Sequence, residues 1–220
     1  HTMPARTGYI KMGSPRAYLP PNKTQHKRAL SAEEVGQLLN DFDGHGGNFQ
    51  TIKAFQLMWL TLSRPNESVQ AEWVEFDLDK ALWTIPARRM KARREHVVPL
   101  PTQAVELLKA MHPITGHTKF VFPNRDDRQR PMADAALRQA LKKLGWATKY
   151  SPHGTRTTGS TRLNEMGYRP DAIEAQLAHA EPNSVRRTYN HATYLDERRV
   201  MMQDWAHKLD QWKSTHSKGQ

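Results

Sequence analysis

From Glu72 the chain reads Glu72-Trp73-Val74-Glu75-Phe76, then Asp77-Leu78-Asp79-Lys80, Leu82-Trp83-Thr84-Ile85-Pro86, Arg88-Arg89-Met90-Lys91-Ala92-Arg93-Arg94-Glu95 and His96-Val97-Val98-Pro99-Leu100. Three short runs rich in aromatic and β-branched residues, separated by turn-forming and charged residues, predict a small antiparallel sheet with strands at 73–76, 82–86 and 96–100. On either side the apolar spacing changes to a helical period. Ser31-Ala32-Glu33-Glu34 has the form of a capping box, followed by the stripe Val35, Leu38 and Leu39. From Phe49 the apolar residues Ile52, Phe55, Leu57, Met58, Trp59, Leu60 and Leu62 run almost all round, which describes a buried helix. Further helical patterns lie at Thr102–Met111, Ala133–Leu144, Gly154–Met166, Asp171–Ala178, Ser184–Tyr189 and Leu195–Trp212. The expected fold is mainly α with a small three-stranded antiparallel β-sheet, an α+β domain.

The 220 residues carry 33 Lys and Arg against 22 Asp and Glu, a formal net charge of +11. That surplus favours a polyanionic partner, nucleic acid first and an anionic membrane surface second. No Cys is present, which excludes disulfides, Cys-based zinc sites and thiol catalysis. No apolar run reaches the roughly 18 residues of a membrane span. Residues 1–30 read as a tag remnant (His1-Thr2-Met3) followed by a basic, Pro-rich linker or arm, residues 31–212 as the folded domain and 213–220 as a polar, frayed tail.

Four places carry candidate chemistry. Arg64 follows the buried helix directly, with Glu67 three residues on, and either an ion pair or an anionic substrate satisfies it. Arg88, Arg89, Lys91, Arg93 and Arg94 crowd the turn before the last strand, a density that points to phosphate contact, a solvated hairpin tip being the plainer reading. His153 and Arg156 share one face at the start of a helix, where free backbone amides also favour an anion. Leu177-Ala178-His179 is followed ten residues later by Tyr189. Singly, His179 reads as a core histidine and Tyr189 as an amphipathic anchor.

In that order, an Arg, a hairpin Lys, His-x-x-Arg, a Leu-x-His and a Tyr about ten residues on, the chain resembles the catalytic domain of the tyrosine recombinases, the phage integrase family. The stretches Trp83-Thr84-Ile85-Pro86, Arg89-Met90-Lys91, His96-Val97-Val98-Pro99-Leu100 and Ala192-Thr193-Tyr194-Leu195-Asp196-Glu197-Arg198-Arg199 are similar to its prophage and genomic-island branch. The family ordinarily has Gly where this chain has Leu62 and Ala178.

The resemblance implies a reaction in which Tyr189 attacks a DNA phosphodiester, leaving a 3′-phosphotyrosyl link and a free 5′-hydroxyl without metal, ATP or other cofactor. It makes Arg64 and Arg156 the stabilisers of the charged phosphorane, His153 the acceptor of the tyrosine proton, and Lys91 the donor to the leaving oxygen. His179 becomes a hydrogen-bond donor to the phosphate, and Tyr194 a competing nucleophile five residues beyond Tyr189. Arg88, Arg89, Arg93 and Arg94 would grip duplex DNA around the site. The implied partners are double-stranded attachment sites, often tRNA-gene ends, three further protomers in a tetrameric synapse, and DNA-bending and excision proteins, in the cytoplasm. The segment Leu195–Trp212 either reaches a neighbouring protomer or packs on its own domain. Two other readings share the pattern: a type IB topoisomerase-like strand transferase, and a DNA-binding relative without turnover. A membrane-surface protein is a weaker alternative, because the cations cluster at the hairpin and His-x-x-Arg and not along one amphipathic helix.

Overall fold

The computed structural model describes residues 28–179 and 194–217. The helix expected at Ser184–Tyr189, and with it Tyr189, lies outside the described residues, as does the arm up to residue 27.

Helix α1 (Ala32–Asp43) starts at the predicted box: the Ser31 hydroxyl accepts from Glu34 N, and the Glu34 carboxylate accepts from Ser31 N. Arg28 joins the same carboxylate and, with the box, holds it well below the usual range, at about 2. Helix α2 (Phe49–Thr61) buries Ala54, Phe55, Leu57, Met58, Trp59 and Leu60 on nearly every side, as its pattern requires. Short α3 (Pro65–Val69) follows, with Pro65 at the first helical position, where its missing N–H costs nothing. The sheet comprises β1 (Phe76–Asp77), β2 (Leu82–Ile85) and β3 (His96–Pro99), antiparallel in that order, with Phe76 opposite Trp83 and Trp83 opposite Val98. Then come α4 (Thr102–Thr115), α5 (Ala135–Lys143), α6 (Gly154–Glu165), α7 (Pro170–Gln176) and α8 (Leu195–Ser217).

The first strand is shorter than expected. Trp73–Glu75 form a single 3₁₀ turn, because Glu75 must point inward: its carboxylate accepts from Trp83 Nε1 and Arg89. Val74, which a strand would have half-buried, is left exposed. The tail also departs from expectation. Helix α8 continues past Trp212 to Ser217, held where Lys213 pairs with Asp43 and Asn40 Nδ2 donates to the Lys213 carbonyl.

Helix α8 packs on its own domain, against α1, α2, α7 and β3. It buries Met201, Met202, Trp205, Ala206 and Leu209, and Trp205 stacks on Trp59 while donating from Nε1 to the Trp59 carbonyl. The segment that could have served a neighbour is part of the core.

One contact sets how closely α2 and α6 approach. Leu62, which ends α2, adopts a left-handed conformation (φ 54°) and is fully buried, its side chain lying over Gly159 of α6. A Cβ at Gly159 would fall 2.5 Å from a Leu62 methyl. Gly159→Ala should therefore lose about 1–3 kcal/mol to overpacking, outweighing the roughly 1 kcal/mol of helix propensity that Ala brings. Urea unfolding measures this, and a stabilised variant would show that Leu62 repacks freely.

Candidate functional site

The loop that ends α2 delivers the first arginine. Arg64 caps α3, and Glu67, itself buried, accepts from Arg64 N at 2.7 Å and from Nη1 at 2.7 Å. A chain of buried hydroxyls, Thr61, Ser63 and Ser68, braces the same turn. The ion-pair reading of Arg64 is observed, Glu67 holding one edge of the guanidinium, and the residue also lines a concavity of about 430 Å³.

Lys91 and Arg93 reach that concavity from the β2–β3 hairpin and His153 from the start of α6. Three of the six predicted site residues, Arg64, Lys91 and His153, thus share one basic hollow. His153 is the residue before α6 and is exposed, its side chain making no capping bond. Tyr150 fixes the approach to that helix through a hydrogen bond to the Thr155 hydroxyl, and burial raises its phenol pKa.

Arg156, one turn into α6, joins two loops. Its Nη1 donates to the Leu62 carbonyl at 2.9 Å and its Nη2 to the Leu177 carbonyl. Burial, and then the charge of Arg64 beside it, lower its pKa to about 10, partly opposed by Glu67 and Glu174. It remains a cation at neutral pH, close enough to Arg64 to be repelled by it. Two neighbouring guanidinium groups with few counter-charges form a site suited to an anion.

His179 follows α7 and is exposed, with Nδ1 at 2.5 Å from a Glu174 oxygen. An ionised carboxylate only accepts, so Nδ1 carries the proton, and Nε2 donates to a phosphate only when the ring is protonated on both nitrogens. His179 is not among the residues lining the Arg64 hollow; Arg156 links the two regions through the Leu177 carbonyl. Ala178, before it, is left-handed (φ 47°). The two positions where the resemblance calls for Gly are thus both in the conformation that favours Gly.

The hairpin cations separate into two kinds. Lys91, Arg93 and Arg94 are exposed, and Arg88 is largely so, although it also donates to both carboxylate oxygens of Glu72. Arg89, which also lines the hollow, differs from the other hairpin cations in being largely enclosed. Its side chain is only 9% exposed, paired with Glu75 and donating to the Glu67 carbonyl at 2.6 Å, so it fastens the hairpin to α3. A run of like charges hides such a residue, since the signal that Glu75 points inward lies in another segment.

Two further residues carry no sequence signal. Gln176, buried in α7, donates from Nε2 to the Thr61 carbonyl at 2.8 Å and accepts at Oε1 from Arg198 of α8. Arg198 is 1% exposed and also donates to the Val97 carbonyl. Tyr194, just before α8, lies over Arg169, its hydroxyl directed at Asp171. Tyr189 lies outside the described residues.

Residues 28–195 match the family model described as Phage integrase family. The chain is 39% identical over 191 residues to prophage integrase IntA of Escherichia coli (strain K12), which covers 87% of this chain and 46% of that protein. It is 46% identical over 165 residues to prophage integrase IntZ of the same strain, covering 74% and 40%. The chain therefore spans less than half the length of these curated relatives. An integrase from mycobacterium phage Brujita superposes with a TM-score of 0.60 at 17% identity, covering 84% of this chain and 59% of that one, a likeness of fold. A hollow built from Arg64, Lys91 and His153 with Arg156 near Arg64, on this fold and with this breadth of sequence match, leads to one conclusion: the chain belongs to the phage integrase family.

Proposed function

We propose that this chain is the strand-cleaving part of a site-specific DNA recombinase that integrates or excises a prophage or genomic island. The observation that carries the reading is the meeting of Arg64, Lys91 and His153 in one hollow, with Arg156 close enough to feel the Arg64 charge.

In the proposed reaction the Tyr189 oxygen attacks the phosphorus of a duplex strand. The P–O5′ bond breaks, the phosphate becomes joined to Tyr189 through its 3′ side, and a 5′-hydroxyl departs. His153 takes the phenol proton and Lys91 supplies one to the departing oxygen. As charge accumulates on the non-bridging oxygens, the planar guanidinium groups of Arg64 and Arg156 meet it with fixed donors. His179 adds a donor once its ring is doubly protonated. One ester bond replaces another, so no ATP is consumed. The partners on this reading are double-stranded attachment sites and further copies of the protein in a synapse. The cytoplasm is the matching compartment; among the described residues no helix is long and apolar enough to cross a membrane.

Tyr189→Phe should retain DNA binding and form no SDS-stable adduct with nicked duplexes tiling candidate tRNA-gene ends, while Tyr194→Phe still forms it. The reverse result would move the nucleophile to Tyr194. Persistent failure of wild-type protein to form any adduct on such substrates favours a DNA-binding relative without turnover.

Arg64→Ala and Arg156→Ala should each slow single-turnover cleavage by about 10²–10³. Arg156→Ala should also lower the melting temperature, because two loop carbonyls lose their donor. Binding lost in proportion to cleavage would make both residues phosphate anchors only.

Arg89→Ala should destabilise the fold by about 3–5 kcal/mol, since Glu75 is left buried and unpaired by its cation. Arg93→Ala and Arg94→Ala should leave stability unchanged and each reduce the slope of log affinity against log salt by about one. A stable Arg89→Ala protein with a reduced salt slope would restore Arg89 to the DNA-facing set.

A further inference from the structure

We propose that Gln176 is a positioning residue through which the docking of α8 sets the geometry of the Arg64–Arg156 site. The inference rests on the strand-cleavage reading for its functional consequence and on the hydrogen-bond geometry for its existence.

Gln176 is 1% exposed, and each of its polar atoms is used. The amide Nε2 donates to the Thr61 carbonyl, three residues before Arg64. Oε1 accepts from Arg198 Nε at 3.0 Å and Nη2 at 2.8 Å. The backbone carbonyl meets His96 Nε2 at 3.0 Å, on the strand that leaves the Lys91 hairpin. The next carbonyl, of Leu177, is the one that Arg156 holds. Four segments that bear or flank the proposed chemistry therefore meet at the end of α7: the Arg64 loop, the hairpin strand, the His179 loop and α8.

Only an amide serves both sides. A carboxylate would accept from Arg198 and yet oppose the Thr61 carbonyl with a second acceptor, and a hydrocarbon of the same length would do neither. Arg198 is a buried cation whose described partners are neutral, the Gln176 amide and the Val97 carbonyl. Its docking therefore depends on Gln176 keeping its orientation. Arg198 lies nine residues beyond Tyr189. The same contact that seats the helix following the nucleophile thus also fixes the carbonyl end of α2, from which Arg64 projects. A well-seated α8 and a well-formed arginine pair become one event.

The test is a double-mutant cycle in the full chain with Gln176→Met, Arg198→Met and the pair. Two readouts are taken, single-turnover adduct formation on the nicked duplex and amide hydrogen exchange of residues 61–64. Each single variant should slow adduct formation at least about tenfold with the dissociation constant for that duplex within about threefold, and the pair should be no slower than the worse single variant. Exchange at residues 61–64 should rise with Arg198→Met in the Gln176 background and not rise further in the Gln176→Met background. Leu137→Ala, a buried substitution in α5, a helix outside the set that α8 packs on, is compared at temperatures where the melting transitions match, and it should leave the adduct rate near wild type. Multiplicative losses, unchanged exchange at 61–64, or an equal slowing in Leu137→Ala would overturn the proposal. Should wild-type protein form no adduct, the strand-cleavage reading fails, and the exchange cycle alone decides whether Gln176 couples α8 to the Arg64 loop. Gln176→Glu completes the set. It keeps the acceptor for Arg198 and loses the donor to Thr61, so α8 should stay seated while adduct formation slows; an unchanged rate would remove the Thr61 contact from the argument.

Discussion

The Arg156 guanidinium, held between the carbonyls of Leu62 and Leu177, is the constraint on which the rest of the site depends. Helices α2 and α7 both finish at this point, and each releases its chain toward a residue of the proposed site, Arg64 in one case and His179 in the other. Both do so through a left-handed residue that is not Gly, a conformation that costs roughly 1–3 kcal/mol where a Cβ is present. A charged double donor directed at the two exit carbonyls is what makes that conformation tenable. At Leu62 burial adds to it. Its side chain fills the space that Gly159 leaves, so the large residue on α2 and the missing one on α6 form a complementary pair. Gly at position 62 would relieve the backbone and open a void at the same place.

The chain's positive charge is consequently not one reservoir directed at a polyanion. Arg156 faces backbone carbonyls as well as Arg64, Arg89 is enclosed by Glu75, and Arg198 is buried against an amide and a carbonyl. These three arginines organise the interior of the domain. The exposed set around the hollow is smaller, Lys91, Arg93 and Arg94 with Arg88 partly engaged by Glu72. Net charge alone overstates how many cations are available to a polyanion, because guanidinium groups are also the best available multiple donors for carbonyls at helix ends.

The helices α1 and α2 and the strands β2 and β3 were legible because their evidence is local: a capping box, an apolar surface all round, alternating residues between turns. Trp73–Glu75 was misread as strand because Trp and Val carry strand preference, while the deciding fact, that Glu75 must meet Arg89 and Trp83, is tertiary. Residues 213–217 read as frayed from polarity alone, and their helical order comes from the Lys213 contacts to α1. The same division runs through the site. Arg64, Lys91 and His153 could be placed by their spacing in a resembling pattern, and they share a hollow. Gln176 and Arg198 could not, since a buried amide in an apolar helix stripe and one arginine among several on the last helix look like ordinary sequence until their partners are known.

The two histidines show how placement divides labour between identical side chains. The role assigned to His153 requires a ring nitrogen free to take a proton, and His153 stands in a hollow lined by Arg64, Lys91 and Arg93 with its side chain uncommitted to the helix end. The role assigned to His179 requires a donor, and the Glu174 carboxylate at Nδ1 leaves Nε2 as a donor only in the doubly protonated ring. The two histidines of the family pattern thus stand in different surroundings in this fold, His153 in the hollow with Arg64, Glu67, Lys91 and Arg93, and His179 against Glu174 outside it.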